Sequence, residues 1–527
     1  MQRHPTKVSY LASLGLALSF SSAGVKAAEP MDFEALSEVI EAERQALGAP
    51  GVAFAYFEDG RILYAEGFGT RHPDGGESVD GETLFRIGSV NKMLTAVGAL
   101  QQVEAEVLDL SSPVVVVIPE LVMAANPDYS QAITLEHTLT HQGGLYDFLI
   151  INTTSRDQAL KRFMTGWYAD NQFYIAPPGA MWNYSNPNFY IAGLMTEVAS
   201  GRYYASNLTR SVFEPLRMTR TYFYGDEVLS DGNYAVGFSA QWSDEEGNPW
   251  VTPDGYDNAW GRPAGYAWSS VTDLARFGQF LMDGDRTVLS DSLREGMMQP
   301  HVSLEVLGDD ASYGHGLFVW DGFALGDAYY PIKVVEHGGD IPGFAANVVT
   351  IPELNRGVAV LASADLAHFG NSIAFALSMG TLPEPTTPPD HSPDPTTYSE
   401  LVGWYDEPNQ ITGPMQVSRD GTVLTVRFPL VDKLSLPYEE TLIPYTKDNF
   451  ILEIQGYQML LTFLRGDDGA VTFARTRLFV ATQSDSRPTP WREALAEIDP
   501  DAFTSMLRNA SDGDRPLLES VDRQIGR

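Results

Sequence analysis

Three short segments carry side chains that could do chemistry together. In TLFRIGSVNKMLTAVGALQQVEA, Gly88 ends an extended stretch and a helix begins near Ser89. Ser89 and Lys92 are three apart, so they share one helix face and the amine reaches the hydroxyl. The positive end of the helix and an apolar surrounding both disfavour a cationic lysine, and a neutral amine is the base that a serine nucleophile needs. In PPGAMWNYSNPNFYIAGLMTEVASG, Tyr184-Ser185-Asn186 precedes an apolar helix. Tyrosine offers a phenol for proton transfer and asparagine an amide to orient an acyl group. In VVEHGGDIPGF, His337-Gly338-Gly339 ends a strand whose bare backbone lets a substrate lie alongside, and the Asp340 N–H can donate to an oxyanion.

Other chemistries are missing. Ser89 is not in a G-x-S-x-G elbow, and there is no P-loop, dinucleotide fingerprint or H-E-x-x-H. The chain has no cysteine, which removes disulfides, thiolate metal sites and a thiol nucleophile. His137 and His141, four apart in HTLTH, have no carboxylate between them and no evident third ligand, so they read as structural. The net charge of −35 repels phosphate backbones and anionic membrane surfaces, so nucleic acid is not an expected partner. Lysine is scarce, with 7 residues against 27 arginines, a weak sign of adaptation to salt.

These segments need elements to hold them. With 44% hydrophobic residues, the 527-residue chain has material for large cores. DFEALSEVIEAERQALG (32–48) has helical spacing and a glycine cap, and GVAFAYFEDGRILYAEGFG reads as a hairpin turning at Asp59-Gly60. Further strands (KVVEHGG, FAANVVTIPELNRGVAVLASA) and a closing helix follow residue 330. Strands at both ends with helices between predict an α/β (α+β) domain over 28–380, its antiparallel sheet assembled from both termini and flanked by helices. The Pro- and Thr-rich stretch 381–398 reads as a stiff linker. Residues 399–490 alternate apolar and polar and read as a small all-β barrel, before a helical, polar tail over 491–527. At the N-terminus, basic residues, the apolar run Val8–Phe20 and Val25-Lys26-Ala27 form a secretory signal, 1–27. The apolar run would span only ~20 Å of a ~30 Å hydrocarbon layer, so cleavage and export to the periplasm or medium are expected, with no integral membrane segment afterwards.

S-x-x-K, Y-x-N and H-x-G in this order resemble the serine β-lactamase and penicillin-binding-protein family, most closely the class C-like branch with D-aminopeptidases, D-Ala-D-Ala carboxypeptidases and esterases. ITLEHTLTHQGGLYD and AGYAWSSVTDLARFGQFLMDG extend the likeness, which covers about residues 32–380. The resemblance implies the β-lactamase/transpeptidase-like fold, with Ser89 as the acylated nucleophile and Lys92 and Tyr184 sharing base and acid work. It implies that Asn186, Gly338 and Gly339 hold the substrate, that the Ser89 and Asp340 N–H groups form the oxyanion hole, and that no cofactor is needed. It places His337 where many relatives have lysine, to hydrogen-bond Tyr184 or a substrate carboxylate.

A histidine there is only partly cationic, and Asp340 repels anions if it points inward. Peptides, amides or esters therefore become the expected small-molecule or peptide substrates: first a D-amino-acid-type peptidase, then an esterase or β-lactamase, and from another class a penicillin-binding sensor without turnover. Tyr146, Trp182 and Trp268 are candidates to line the pocket. The C-terminal module resembles the lipocalin-like barrels appended to some peptidases of this family, through LVGWYDEP and the strands after it.

Overall fold

The computed structural model describes residues 31–150, 153–243, 249–252, 255–326, 328–409, 411–488 and 500–525, so the signal expected at 1–27 lies outside the described residues. Helix α1 (Phe33–Leu47) starts on Asp32, whose carboxylate accepts the Ala35 N–H, and stops at Gly48 in the left-handed region. Strands β1 (Gly51–Glu58) and β2 (Arg61–Gly69) form the expected hairpin, with Asp59 and Gly60 both at positive φ, as a tight right-twisting turn requires.

The main sheet adds β3 (Val302–Ser303), β4 (Ala311–Tyr313), β5 (Phe318–Trp320), β6 (Val334–Ile341), β7 (Phe344–Ile351) and β8 (Arg356–Ala362). Its order is β2-β1-β8-β7-β6-β5-β4-β3, antiparallel throughout, and the first strand pairs with the last through Val52 and Ala362. Strand β1 is buried on both faces, which explains its unbroken apolar run. Val52, Phe54 and Tyr56 share one core with Leu36, Ile40 and Ile373 from α1 and a closing helix, Gly370–Ser378. Ala53, Ala55 and Phe57 face a larger core built by the central helices. There α2 (Asn91–Glu104) runs buried over its first ten residues and packs against α3 (Asn186–Ser200).

Residues 381–397 form neither helix nor strand, and Thr386 exchanges backbone hydrogen bonds with Tyr329. Beyond them, β9 (Gly403–Asp406), β10 (Met415–Asp420), β11 (Val423–Arg427), β12 (Ile443–Thr446), β13 (Asn449–Ile454), β14 (Tyr457–Arg465), β15 (Val471–Arg475) and β16 (Val480–Ser484) make a second eight-stranded sheet. Strands β9 to β11 pair in sequence, as do β12 to β16, β9 pairs with β16, and the two edges meet where Thr425 of β11 bridges to Thr441 just ahead of β12. The sheet thereby curls into an up-and-down barrel around its own apolar core. No helix among the described residues is long and apolar enough to cross a membrane.

The polar tail contains one long helix, α4 (Pro500–Ile525). Its buried Phe503, Leu507 and Ala510 join the barrel core, whereas Leu517 and Val521 join the core on the outer face of the main sheet. The helix therefore clamps the two β structures together.

Candidate active site

Ser89 sits in a 3-10 turn, Gly88–Val90, at the entrance to α2. Gly88 has φ +49, and a Cβ there would lie 2.7 Å from the Asp340 nitrogen. A Cβ on Gly339 would lie 2.1 Å from the Ile87 carbonyl oxygen and 2.9 Å from the Ser89 nitrogen. Two bare glycines let strand β6 approach the helix entrance this closely, which brings the Ser89 and Asp340 N–H groups together.

Lys92 is fully buried one turn along. Its Nζ lies 2.8 Å from Ser89 Oγ, 2.8 Å from Asn186 Oδ1 and 2.9 Å from the Ala264 carbonyl oxygen. The last two groups can only accept, so a neutral amine spends both its N–H bonds on them and aims its lone pair at the Ser89 hydroxyl proton. Burial pushes the ammonium well below its ordinary range; Asp147 opposes this and Arg477 adds to it. Tyr184 moves the other way. Burial raises its phenol strongly, against the pull of Arg477 and of Ser89, so it carries its proton at neutral pH. The Arg477 guanidinium stands 4.4 Å from the Tyr184 ring centre, and the His141 ring 4.1 Å from it.

Asn186 is held by Asp147, whose Oδ1 accepts both the Asn186 backbone N–H at 2.8 Å and its Nδ2 at 3.1 Å. Asp147 Oδ2 in turn accepts from Arg477 Nε at 2.9 Å and Nη2 at 2.7 Å. A polar chain thus runs from the barrel to the serine: Arg477, Asp147, Asn186, Lys92, Ser89.

His337 departs from expectation. Its Nδ1 donates to the Gly338 carbonyl oxygen, so its Nε2 accepts from the Tyr313 hydroxyl at 3.0 Å. Its ring centre stands 6.3 Å from that of Tyr184, and both nitrogens are engaged elsewhere. Burial and then Lys92 push its pKa down to about 3, so the position is neutral at working pH. The Asp340 carboxylate turns from the cleft towards the Leu366 N–H at 3.1 Å and pairs with His368 at 3.2 Å. Burial alone would lower the His368 pKa, but Asp340 and Glu519 outweigh it and raise it to about 9.

Ser89 opens into a cavity of about 320 Å³ whose walls include Tyr184, Trp182, Phe318, Gly338 and, from α4, Asp512 and Leu517. The family model described as Beta-lactamase matches residues 36–376. The chain belongs to the beta-lactamase family of serine hydrolases. "Penicillin-binding protein 4" of Amycolatopsis lactamdurans is 27% identical over 394 residues, 72% of this chain and 98% of the relative. SurE with D-Leu superposes with a TM-score of 0.60 at 20% identity, covering 86% of this chain and 99% of the other. A D-amino acid amidase from Ochrobactrum anthropi SV3, complexed with L-phenylalanine amide, does so with a TM-score of 0.53 at 21% identity, covering 66% of this chain and 98% of the other. At these identities the superpositions show the fold alone.

Among the pocket candidates of this beta-lactamase-family chain, Trp182 lines the cavity, but Tyr146 and Trp268 do not. Tyr146 stacks on Phe173 at 4.9 Å, against the barrel core. Trp268 is buried between Phe344 and the Arg86 guanidinium. Both are aromatic residues near a motif in sequence, and packing claims them. His137 caps its own short helix through the Thr134 N–H, and buried His141 accepts the Ser185 N–H. Asp147, Tyr313, Arg477 and Asp512 are residues that motif reading missed. Asp147 ends the ITLEHTLTHQGGLYD segment and could have been found there. Arg477 and Asp512 lie more than 130 residues beyond the last motif, on elements whose docking no spacing reveals.

Proposed function

We propose that this chain is a D-amino-acid-type peptidase, which forms an acyl-enzyme on Ser89 and cleaves amide bonds next to a D-residue bearing a free α-ammonium. Ser89 Oγ attacks the carbonyl carbon as its proton passes to Lys92 Nζ, and the oxyanion lies against the Ser89 and Asp340 N–H groups. The Tyr184 phenol gives its proton to the departing nitrogen and recovers one from the Lys92 ammonium. A water molecule, deprotonated by the same pair, then releases the acid and restores the serine.

The observation that carries the choice of substrate is the sign of the charge in the cleft. Its described walls hold four carboxylates, Asp147, Asp365, Asp512 and Asp514, besides Asp340, which is turned towards His368, and one guanidinium, Arg477, already engaged by Asp147. With His337 neutral, a substrate carboxylate finds no free cation, which disfavours β-lactams and C-terminal dipeptides. An ammonium finds counter-charges. Two similar structures, a D-amino acid amidase and SurE with D-Leu, support the D-configuration. Export through cleavage near Ala28 belongs to the same proposal, and the intact mass of the exported protein tests it.

The decisive experiment compares D-alanine p-nitroanilide, its N-acetyl derivative, an N-acetylated D-Ala-D-Ala peptide, a short-chain ester and a chromogenic cephalosporin. The free amine should give the highest kcat/KM, by more than about tenfold over its acetylated form, as loss of a charge-assisted contact implies. Faster turnover of the cephalosporin or the acetylated peptide rejects the substrate class, and acylation without turnover by any of them makes the chain a sensor. Ser89→Ala should abolish fluorophosphonate labelling, and labelling that persists would move the nucleophile elsewhere.

A further inference from the structure

We infer a transition-metal site of the zinc type, apart from the cleft, formed by Glu136, His301 and His315. The three residues come from separate places: the short helix Leu135–Leu139, the approach to β3, and the β4–β5 connection. Their ligand atoms all lie within 4.8 Å of one another. Glu136 Oε1 is 3.3 Å from His301 Nδ1, and Oε2 is 2.8 Å from His315 Nε2. The imidazole rings stack at 4.0 Å and 14°, presenting nitrogens to the same carboxylate. None of the three lines the cavity at Ser89.

Hydrogen bonding singles out the His301 contact. His301 Nε2 lies 2.9 Å from the Gly296 carbonyl oxygen, which can only accept, so Nε2 carries the proton. In the neutral ring Nδ1 then has a lone pair, and it faces a carboxylate oxygen that also has only lone pairs to offer. A cation between them resolves the opposition. A backbone carbonyl that takes the distal N–H of a ligating histidine is also the usual outer partner that fixes ring and tautomer. Zinc–nitrogen and zinc–oxygen bonds of about 2.0–2.2 Å, set tetrahedrally, put ligands about 3.3–3.5 Å apart. The His301 contact already has that spacing, and the His315 contact has to open slightly. His315 binds through Nε2, its proton moving to Nδ1. The partly exposed edge at His301 leaves the fourth position to water.

The site would brace the catalytic helix from behind. The His315 N–H donates to Met297, the next N–H, of Gly316, donates to Leu139, and a Cβ on Gly316 would lie 2.7 Å from the Lys92 carbonyl oxygen. A metal here therefore ties the short Glu136 helix and the β4–β5 connection to the backbone of Lys92.

Untagged full-length protein, stripped with a chelator, tests this by titration with zinc and cobalt(II). One equivalent should bind, cobalt should show the visible bands of a four-coordinate ion, and the melting temperature should rise by about 2 °C or more at a hundredfold excess over Kd. His301→Ala and Glu136→Gln should each weaken binding by more than about tenfold, since even outer partners of a metal are worth about 10–100-fold. His391→Ala, at a separate pairing with Asp310, should leave it unchanged. Retained fluorophosphonate labelling of Ser89 verifies that each variant is folded. No stoichiometric binding by the wild type, or equal binding by the His301 and Glu136 variants, overturns the site.

Discussion

Lys92 has three hydrogen-bonding neighbours and no water-accessible surface, and the proposed role of Ser89 as nucleophile rests on that confinement. An arginine in its place keeps its charge and cannot serve as base. Lys92→Arg should therefore lower kcat/KM by at least about 10²–10⁴, the range for a lost acid–base group, in steady-state assays at saturating and limiting substrate. Tyr184→Phe removes a proton donor while keeping the ring beside Arg477, so the loss should fall on kcat; a loss confined to KM would make Tyr184 a binding residue. Burial raises the Asp512 carboxyl to about 6, with Arg508 and Arg515 opposing. Affinity for an amine-bearing substrate should then weaken as pH falls through about 6, and Asp512→Asn should raise its KM while sparing a substrate without the amine. The proximity of Ser89 and Lys92 was legible from their spacing on one helix, and Tyr184 from the resemblance of its Y-x-N segment to the family's. Asp512 was not, since a carboxylate on a polar helix is ordinarily solvated.

Helix α4 and the barrel both contribute side chains to the cavity as elements. His368 sits between Asp340, on β6, and Glu519 on α4. Its pKa is raised to about 9, whereas an unfolded histidine titrates near 6.5. The folded state thus holds this proton more tightly, and the stabilisation is complete below about pH 6.5 and lost as pH rises through about 9. The shift corresponds to roughly 3 kcal/mol, so thermal melts from pH 6 to 10 should show a fall that His368→Gln flattens. Arg477 gives a second test. Arg477→Ala leaves the part-buried Asp147 carboxylate without this counter-charge, at a cost of up to about 3–5 kcal/mol, and loosens Asn186. Denaturant melts and kcat should both fall. A catalytic domain indifferent to this change would show that the barrel only packs beside it. The barrel strands were readable from their alternation, but the face they turn to the cleft was not.

The whole molecule carries a net charge of −35 on 527 residues, with 69 acidic side chains. Folding concentrates that charge, and the resulting repulsion is relieved by ions. The Debye length shortens from ~30 Å at 0.01 M to ~3 Å at 1 M salt. Melting temperature, and activity at saturating substrate, should therefore both rise as sodium chloride goes from low to molar concentration. A flat or falling melting temperature would leave the acidity as a solubility device. Screening should also weaken the attraction between the acidic cleft and a cationic substrate, so KM for an amine should rise with salt even as stability improves.

Sequence alone determined a main sheet assembled from strands at both ends of the 28–380 region, the β1–β2 turn, the alternating strands of the C-terminal module and the Ser89–Lys92 pair, with Tyr184 read from the family resemblance. The first four depend on hydrophobic period, turn chemistry or a spacing along one helix, and all of these are local. Tertiary structure decided the rest. It made His337 neutral by enclosing it with Tyr313, turned Asp340 towards His368, and buried Tyr146 and Trp268 out of reach of substrate. It carried Arg477 and α4 to a cleft more than 130 residues away in sequence, where their charged side chains line the cavity at Ser89. Burial and long-range docking fix protonation and orientation, and neither is written in the spacing of neighbours.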